Sequence, residues 1–328
     1  MSASSSRENY PRLVRSPRNM WKTAFIFLLL GFARSVFAEL SPAWTDCKSK
    51  DDAPAGIQLR ITACTAVIQS GNESLDNLAG AHYNRAIALN LDGDPDRAVA
   101  DFNEAIRLKP DFASAYNNRG VVYRQTRDYD RAIKDFDVAL RIKPGDLYAL
   151  NNRGNAHRDK RDAVQAMNDF NEAIRLAPDF ATSFVNRAAV YRERGKFDLA
   201  LKDIGHALKL APDYPAALSA RCFTRAAANR ELGIALADCE KSLVLRPGDA
   251  DTFAYRGFVK FRRGQFTASI EDCNHALELD NHLAGSLFVR GLAKRRLKMI
   301  DEADTDIIAA KKLDPSVVQT YSVFHVGL

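Results

Sequence analysis

Tryptophan and histidine are scarce in this sequence, and it has no glycine-rich phosphate loop, no HExxH pair and no apolar run near membrane-spanning length. Each absence excludes something. Without a glycine-rich turn ahead of a helix there is no ready backbone cradle for a phosphate. The histidines, His82, His157, His206, His275, His282 and His325, form no i,i+4 pair, and spacing fixes no carboxylate partner for any of them, so no metal site and no acid–base catalyst is predicted. No Ser–His–Asp arrangement stands out either. Trp44 is the only tryptophan after Trp21, too few for a sugar-stacking platform. The expectation is a non-enzymatic protein with no catalytic residue, no cofactor and no small-molecule substrate.

Net positive charge is also scarce once the start of the chain is set aside. The formal net charge is +6, but residues 1–38 hold Arg7, Arg12, Arg15, Arg18, Lys22 and Arg34 against Glu8 alone, so the remainder is almost neutral. A nearly neutral body lacks the charge that a phosphate backbone demands, and nucleic acid is not expected as a partner. The apolar stretch "TAFIFLLLGFA" at 23–33 is too short to cross a hydrocarbon layer of ~30 Å. It follows basic residues and precedes "RSVFA", whose Val36 and Ala38 suit cleavage before Glu39. Residues 1–38 therefore read as a secretory signal, which is most compact if the start is Met20, and the mature chain is expected in the periplasm or secreted. The alternative is an uncleaved segment, residues 20–38, anchoring an assembly factor to the membrane on its periplasmic side; only then is the membrane a partner. Of the five cysteines, Cys47 and Cys64 flank a short loop just after the proposed cut, which in an oxidising compartment reads as a staple on the first helix.

What the sequence has in abundance is repetition. Pro110, Pro144, Pro178, Pro212, Pro247, Asn281 and Pro315 stand 34, 34, 34, 35, 34 and 34 residues apart. In the second window Ala115, Asn118, Arg119, Val122 and Tyr123 recur at helical spacing, Thr126–Asp128 interrupts, and a second helical stripe runs through Ala132, Ile133, Phe136, Ala139 and Leu140. Each window predicts two antiparallel helices. Gly120, Gly154, Ala188, Cys222, Gly257 and Gly291 occupy one site of the first helix, and Ala98, Ala132, Ala166, Ala200 and Ala235 one site of the second, so a close helix crossing is repeated along the chain. Proline then stops each second helix.

This pattern, in "YNNRGVVYRQTRDYDRAIKDFDVALRIKPGD", resembles the tetratricopeptide repeat, and seven windows over 79–317 carry it. The early "RITACTAVIQSG" and the closing "AKKLDPSVVQTYSVFHVGL" resemble the ends of exported bacterial proteins of this type. The resemblance implies an all-α, right-handed superhelical solenoid whose first helices line a concave groove that binds a protein or peptide. Before the repeats, residues 39–78 form an N-terminal cap with an amphipathic helix over 55–69; after them, 318–328 is a C-terminal cap or tail, with "VVQTYSVF" covering the open far end. No second domain is expected.

Two charged series are complete. Arg85, Arg119, Arg153, Arg187, Arg221, Arg256 and Arg290 precede the small crossing residue, and Asp101, Asp135, Asp169, Asp203, Asp238, Asp272 and Asp306 follow the crossing alanine site by three. They could grip a ligand, but a ligand-reading residue has little reason to be identical in seven places, so inter-helix ion pairs are the preferred reading. Cys222 takes the small crossing site of window five and Cys239 lies where it would face it, so these two are candidates for a second disulfide, whereas Cys273 faces Gly257 and should stay a buried free thiol.

The resemblance also places the groove. Asn117, Asn118, Arg124, Asn151, Asn152, Asn155, Arg158 and Arg192 fall on its expected polar wall. Amides can hold an extended peptide's backbone and arginines its carboxylates, which suits an acidic peptide; the other reading has the asparagines bonding helix to helix and the arginines as solvated charge. Family members that clamp a C-terminal carboxylate do so with lysines and asparagines, and this groove lacks those lysines. Phe223, Phe258, Phe261 and Phe288 offer either an apolar floor for a partner's anchor or ordinary core.

Overall fold

The computed structural model describes residues 42–326. The expectations about residues 1–38 lie outside the described residues. Every regular element among them is a helix. α1 (Pro42–Cys47) and α2 (Pro54–Gln69) precede seven helix pairs: α3 (Leu75–Leu91) with α4 (Pro95–Leu108), α5 (Ala113–Gln125) with α6 (Tyr129–Ile142), α7 (Leu147–Asp159) with α8 (Ala163–Leu176), and α9 (Ala181–Glu193) with α10 (Phe197–Leu210). The series continues with α11 (Pro215–Ala227) and α12 (Leu232–Leu245), α13 (Ala250–Arg262) and α14 (Phe266–Leu279), and α15 (Ala284–Arg296) and α16 (Ile300–Leu313), before a short α17 (Val317–Ser322). Each first helix packs on its own second helix, and that second helix packs on the next first helix, which makes a superhelical solenoid. Successive first helices touch one another while successive second helices have no comparable contact, so the first helices form the inner side of the curve. The first pair opens at Leu75, one turn before the expected 79.

Local chemistry explains where the helices break. Asp94, Asp128 and Asp162 cap the second helices of the first three pairs, accepting hydrogen bonds from the backbone N–H groups of Arg97, Arg131 and Gln165. The turn between the helices requires a left-handed residue, met cheaply by Gly93 (φ 84°) and Gly195 (φ 68°) but by Arg127 (φ 63°) and Arg161 (φ 66°) in the second and third windows.

The crossing of each pair follows a size rule. Ala86 in the first window, Gly120 in the second and Gly154 in the third sit opposite Phe102, Phe136 and Phe170, and all three phenylalanines are fully buried. A Cβ on Gly154 would lie 2.6 Å from Phe170 Cε1. The Gly154→Val variant is therefore expected to lose at least ~1–3 kcal/mol in urea unfolding, because overpacking at a backbone crossing cannot be relieved by one side chain alone. Adding Phe170→Ala should recover part of the loss. In window five the same two positions are Cys222 and Cys239, joined as a disulfide with Cα atoms 5.5 Å apart. Cys47 and Cys64 form another, Cα atoms 4.7 Å apart, tying α1 to α2, an element the sequence pattern did not announce. Cys273 is buried and unpaired beside Gly257.

The arginine and aspartate series meet across each pair, Nε and Nη2 forking onto one carboxylate. Arg187 bonds Asp203 at 2.7 and 2.8 Å, and Arg119 bonds Asp135 at 2.8 and 2.7 Å. Arg85–Asp101, Arg153–Asp169, Arg221–Asp238, Arg256–Asp272 and Arg290–Asp306 repeat the arrangement. In several windows the remaining nitrogen reaches back to the preceding second helix: Arg119 to Asn103, Arg153 to Asp137, Arg187 to Asn171 and Arg290 to Asn274. Each of these arginines thus joins two consecutive windows and fixes their register. In windows five to seven a second cation, Arg225, Lys260 or Lys294, joins the aspartate. Burial works to lower the pKa of Arg119, but its bond to Asp135 outweighs this and the net shift is upward; for Arg187 the bond to Asp203 is the leading cause of a rise.

Candidate peptide-binding groove

The polar wall of the groove lies on α3, α5, α7 and α9. Its amides are linked along the inner face from one helix to the next. Asn118 Nδ2 donates to the Tyr83 hydroxyl at 2.9 Å, Asn117 Nδ2 to Asn118 Oδ1 at 3.1 Å, and Asn152 Nδ2 to Asn117 Oδ1 at 3.0 Å. Asn186 Nδ2 donates to Asn151 Oδ1 at 2.9 Å, and Asn151 Nδ2 to Ser183 Oγ at 2.9 Å. The helix-to-helix role is thus realised, and Asn151 is buried by it. An amide has two N–H groups and two lone pairs, so Asn117, Asn118 and Asn152 keep capacity beyond these bonds. Burial pushes the Tyr83 phenol upward against the bond from Asn118.

The arginine row differs from a line of free cations. Arg124 Nη1 bonds Asp159 Oδ2 at 2.8 Å, Arg158 Nη2 bonds Asp159 Oδ1 at 3.1 Å, and Arg158 Nε lies 3.6 Å from Glu193 Oε1. Asp159 and Glu193 occupy one site of adjacent windows directly after the arginines, a signal that the sequence carries. Arg192 alone has no carboxylate among the described residues. It stacks over Phe223 at 4.7 Å from the ring centroid, and burial pushes its pKa down. Three atoms on this wall, Arg124 Nε, Asn155 Oδ1 and Arg192 Nε, are buried without a hydrogen-bond partner. They belong to three consecutive first helices.

The aromatic part of the groove is not an open floor. Phe258 and Phe288 are fully buried and Phe261 nearly so, and Phe223 packs among them. What covers them is the segment that follows the last helix pair. Tyr321 sits 5.3 Å from Phe258 and 5.1 Å from Phe288, and Phe324 sits 5.6 Å from Phe223, by ring centroids. The "VVQTYSVF" segment was expected to close the far end; α17 does lie against α15 and α16, but its continuation turns inward along the first helices as far as Phe197 at the start of α10. The inner face of α11, α13 and α15 supplies the rings of Phe223, Phe258 and Phe288 against which both side chains are buried. Neither Tyr321 nor Phe324 is singled out by the repeat pattern, because both follow its last proline.

A curved stack of antiparallel helix pairs, with register-setting ion pairs and a first-helix groove, defines a helical-repeat solenoid that presents an extended concave surface. The family profile of the tetratricopeptide repeat matches residues 83–146 and 151–215. The chain carries tetratricopeptide repeats over these residues, and such repeats suggest a scaffold for protein interaction. No curated protein is similar enough in sequence to match. Among solved structures, the fold is similar to the APC/C hetero-tetramer Cut9–Hcn1, with a TM-score of 0.63 and 14% identity over 86% of this chain and 57% of that one. It is also similar to a tetratricopeptide repeat protein from Parabacteroides merdae (TM-score 0.56, 15% identity, 76% of this chain and 100% of that one). Yeast Tom70 matches with a TM-score of 0.56 and 18% identity over 83% of this chain and 60% of that one. The chain thus spans less than two thirds of the Cut9–Hcn1 and Tom70 chains, and at these identities the likeness is one of fold.

Proposed function

We propose that the chain is a non-enzymatic scaffold that binds an extended, acidic peptide segment of a protein partner along the inner faces of α5, α7 and α9, in the periplasm or cell envelope. The observation that carries the reading is Arg192, the one arginine of the row with no carboxylate partner among the described residues, beside the amides of Asn117, Asn118 and Asn152 that keep hydrogen-bonding capacity. An extended peptide supplies what this wall can still use, a carboxylate for the arginine and backbone N–H and C=O groups for the amides. Because Arg124 and Arg158 already hold Asp159, Arg192 becomes the principal reader of a ligand carboxylate. Two disulfides support an oxidising compartment. No described helix is long and apolar enough to cross a membrane.

The test is a display library of extended peptides selected on the full chain. Selected peptides are expected to carry a carboxylate, and Arg192→Ala should weaken them at least ~10-fold and flatten the salt dependence of binding. Arg124→Ala should have a smaller effect, its charge being shared with Asp159. Selection without acidic preference, or equal affinity for the Arg192→Ala chain, would remove this wall from the binding site.

A further inference from the structure

We propose that the C-terminal segment is a resident ligand of the groove's aromatic half, and that the protein partner which displaces it carries two aromatic side chains spaced as Tyr-x-x-Phe. The proposal rests on the scaffold reading only for the partner being a protein, since it concerns a different part of the groove.

A cap for the open end would need to cover α15 and α16 and nothing more. This segment goes further, placing Phe324 against Phe223 and within 6.2 Å of Phe197, two and three windows upstream. It docks as bound peptides do. Tyr321, Phe324 and Val326 are buried on one side while Ser322 and His325 face out. Its backbone is held as well: Arg262 Nη2 donates to the Phe324 carbonyl and, at 3.3 Å, to the Ala227 carbonyl, which ties the segment to the ends of α11 and α13. The Tyr321 hydroxyl donates to the Gly285 carbonyl at 3.5 Å, and a Cβ at position 285 would fall 2.9 Å from that hydroxyl, so the slot has no room for a side chain. The segment joins the hydrophobic cluster of the last three windows but lies outside their helix pairs, after α16. Such a segment can leave as a unit without unthreading any window, because a solenoid's repeats depend on their neighbours.

Chain geometry decides for a partner over a second copy. The segment is leashed by a short turn in which Ser316 N–H and Oγ donate to Asp314 Oδ1 at 2.9 and 2.6 Å, and Arg161 reaches across from the third window to Ser316 Oγ. A ligand on so short a leash has a high effective concentration at its own groove and little reach toward another molecule's. Residues 316–326 carry no Asp, Glu, Lys or Arg, so the rings and the backbone are what the groove recognises, and a partner must offer the same.

The experiment uses a fluorescent peptide with the sequence of residues 314–328, "DPSVVQTYSVFHVGL", added to the full chain. The Tyr321→Ala/Phe324→Ala chain is expected to bind it at least ~10-fold more tightly than wild type, whose groove is filled from within. The peptide with both rings replaced by alanine should not bind. Oxidised Gly195→Cys/Val323→Cys chain should not bind either; Val323 Cγ1 lies 3.5 Å from where a Cβ on residue 195 would stand. A peptide library selected on the double-alanine chain should enrich aromatic pairs three residues apart. In Arg262→Gln, hydrogen exchange of the 317–326 amides should rise at least ~10-fold while the repeats stay protected. Equal peptide affinity for wild type and variant would overturn the proposal. So would a double-alanine chain that loses its helicity together with unchanged exchange in Arg262→Gln, which would make the segment a fixed part of the core. Wild type that dimerises by exchanging the segment would make a second copy the occupant and overturn the partner. Acidic peptides selected on the polar wall and scored with Arg192→Ala report on the other half of the groove, so the two readings fail separately.

Discussion

Asp203→Ala is expected to destabilise the chain by ~3–5 kcal/mol, the range for removing one partner of a buried ion pair. Asp203 is buried in the central window, and its loss leaves the Arg187 guanidinium with Asn171 as its one hydrogen-bond partner among the described residues. The size of the effect lies in the orphaned charge, not in the worth of the pair. Replacing both together, Arg187→Met with Asp203→Leu, should therefore recover most of the stability. Because Arg187 also joins windows three and four, the single variant should do more than lower a midpoint. A solenoid is coupled through nearest neighbours, so weakening one interface at the centre is expected to split urea unfolding into two transitions, and circular dichroism against fluorescence would show whether it does. The first window adds a pH dependence. Burial would raise the Asp101 pKa, but hydrogen bonds from Arg85 and His82 outweigh it and hold the carboxyl below its usual value. Its contribution is complete above the unfolded value near ~3.9 and is lost as pH falls through the lower folded one, so this window should loosen only in acid below about pH 4.

The second large effect concerns Cys222–Cys239. Its sequence separation is 17, a loop whose closure contributes ~3 kcal/mol by restricting the unfolded chain. Cys222→Ala/Cys239→Ala should lose at least that much in denaturant unfolding, since it also removes packing at the crossing where other windows place a glycine against a phenylalanine. Reductant added to wild type should lower the melting temperature, while leaving the variant sensitive only through Cys47–Cys64. Cys273 should resist alkylation in the folded chain, because burial pushes its thiol up to about 12. Non-reducing mass mapping gives the reading: two linked pairs and one thiol are expected, and a stable, fully reduced chain would remove both the stabilisation and the argument for an oxidising compartment.

Much of this molecule is decided locally, and what is local is written in the sequence. A helix pair is specified by apolar spacing at 3.6 residues, by an aspartate cap such as Asp128 and by a proline such as Pro144, all within one window. The small-to-large crossing and the Arg–Asp pair are likewise formed by residues within 17 of each other, and because the Arg–Asp pair recurs seven times the repetition itself separates it from chance. The period therefore carried the solenoid, the paired charges and even the facing of Cys222 and Cys239. Tertiary structure decided what does not repeat. Whether Arg124 and Arg158 are free depends on Asp159 and Glu193 on neighbouring helices, and the distance between them is set by how the windows curve. Where Tyr321 and Phe324 go depends on the inner face of three first helices brought together only by that curvature. Contacts inside a window are fixed by helical geometry over a few residues; contacts across the groove exist only once many windows are stacked, and no stretch of the sequence contains them.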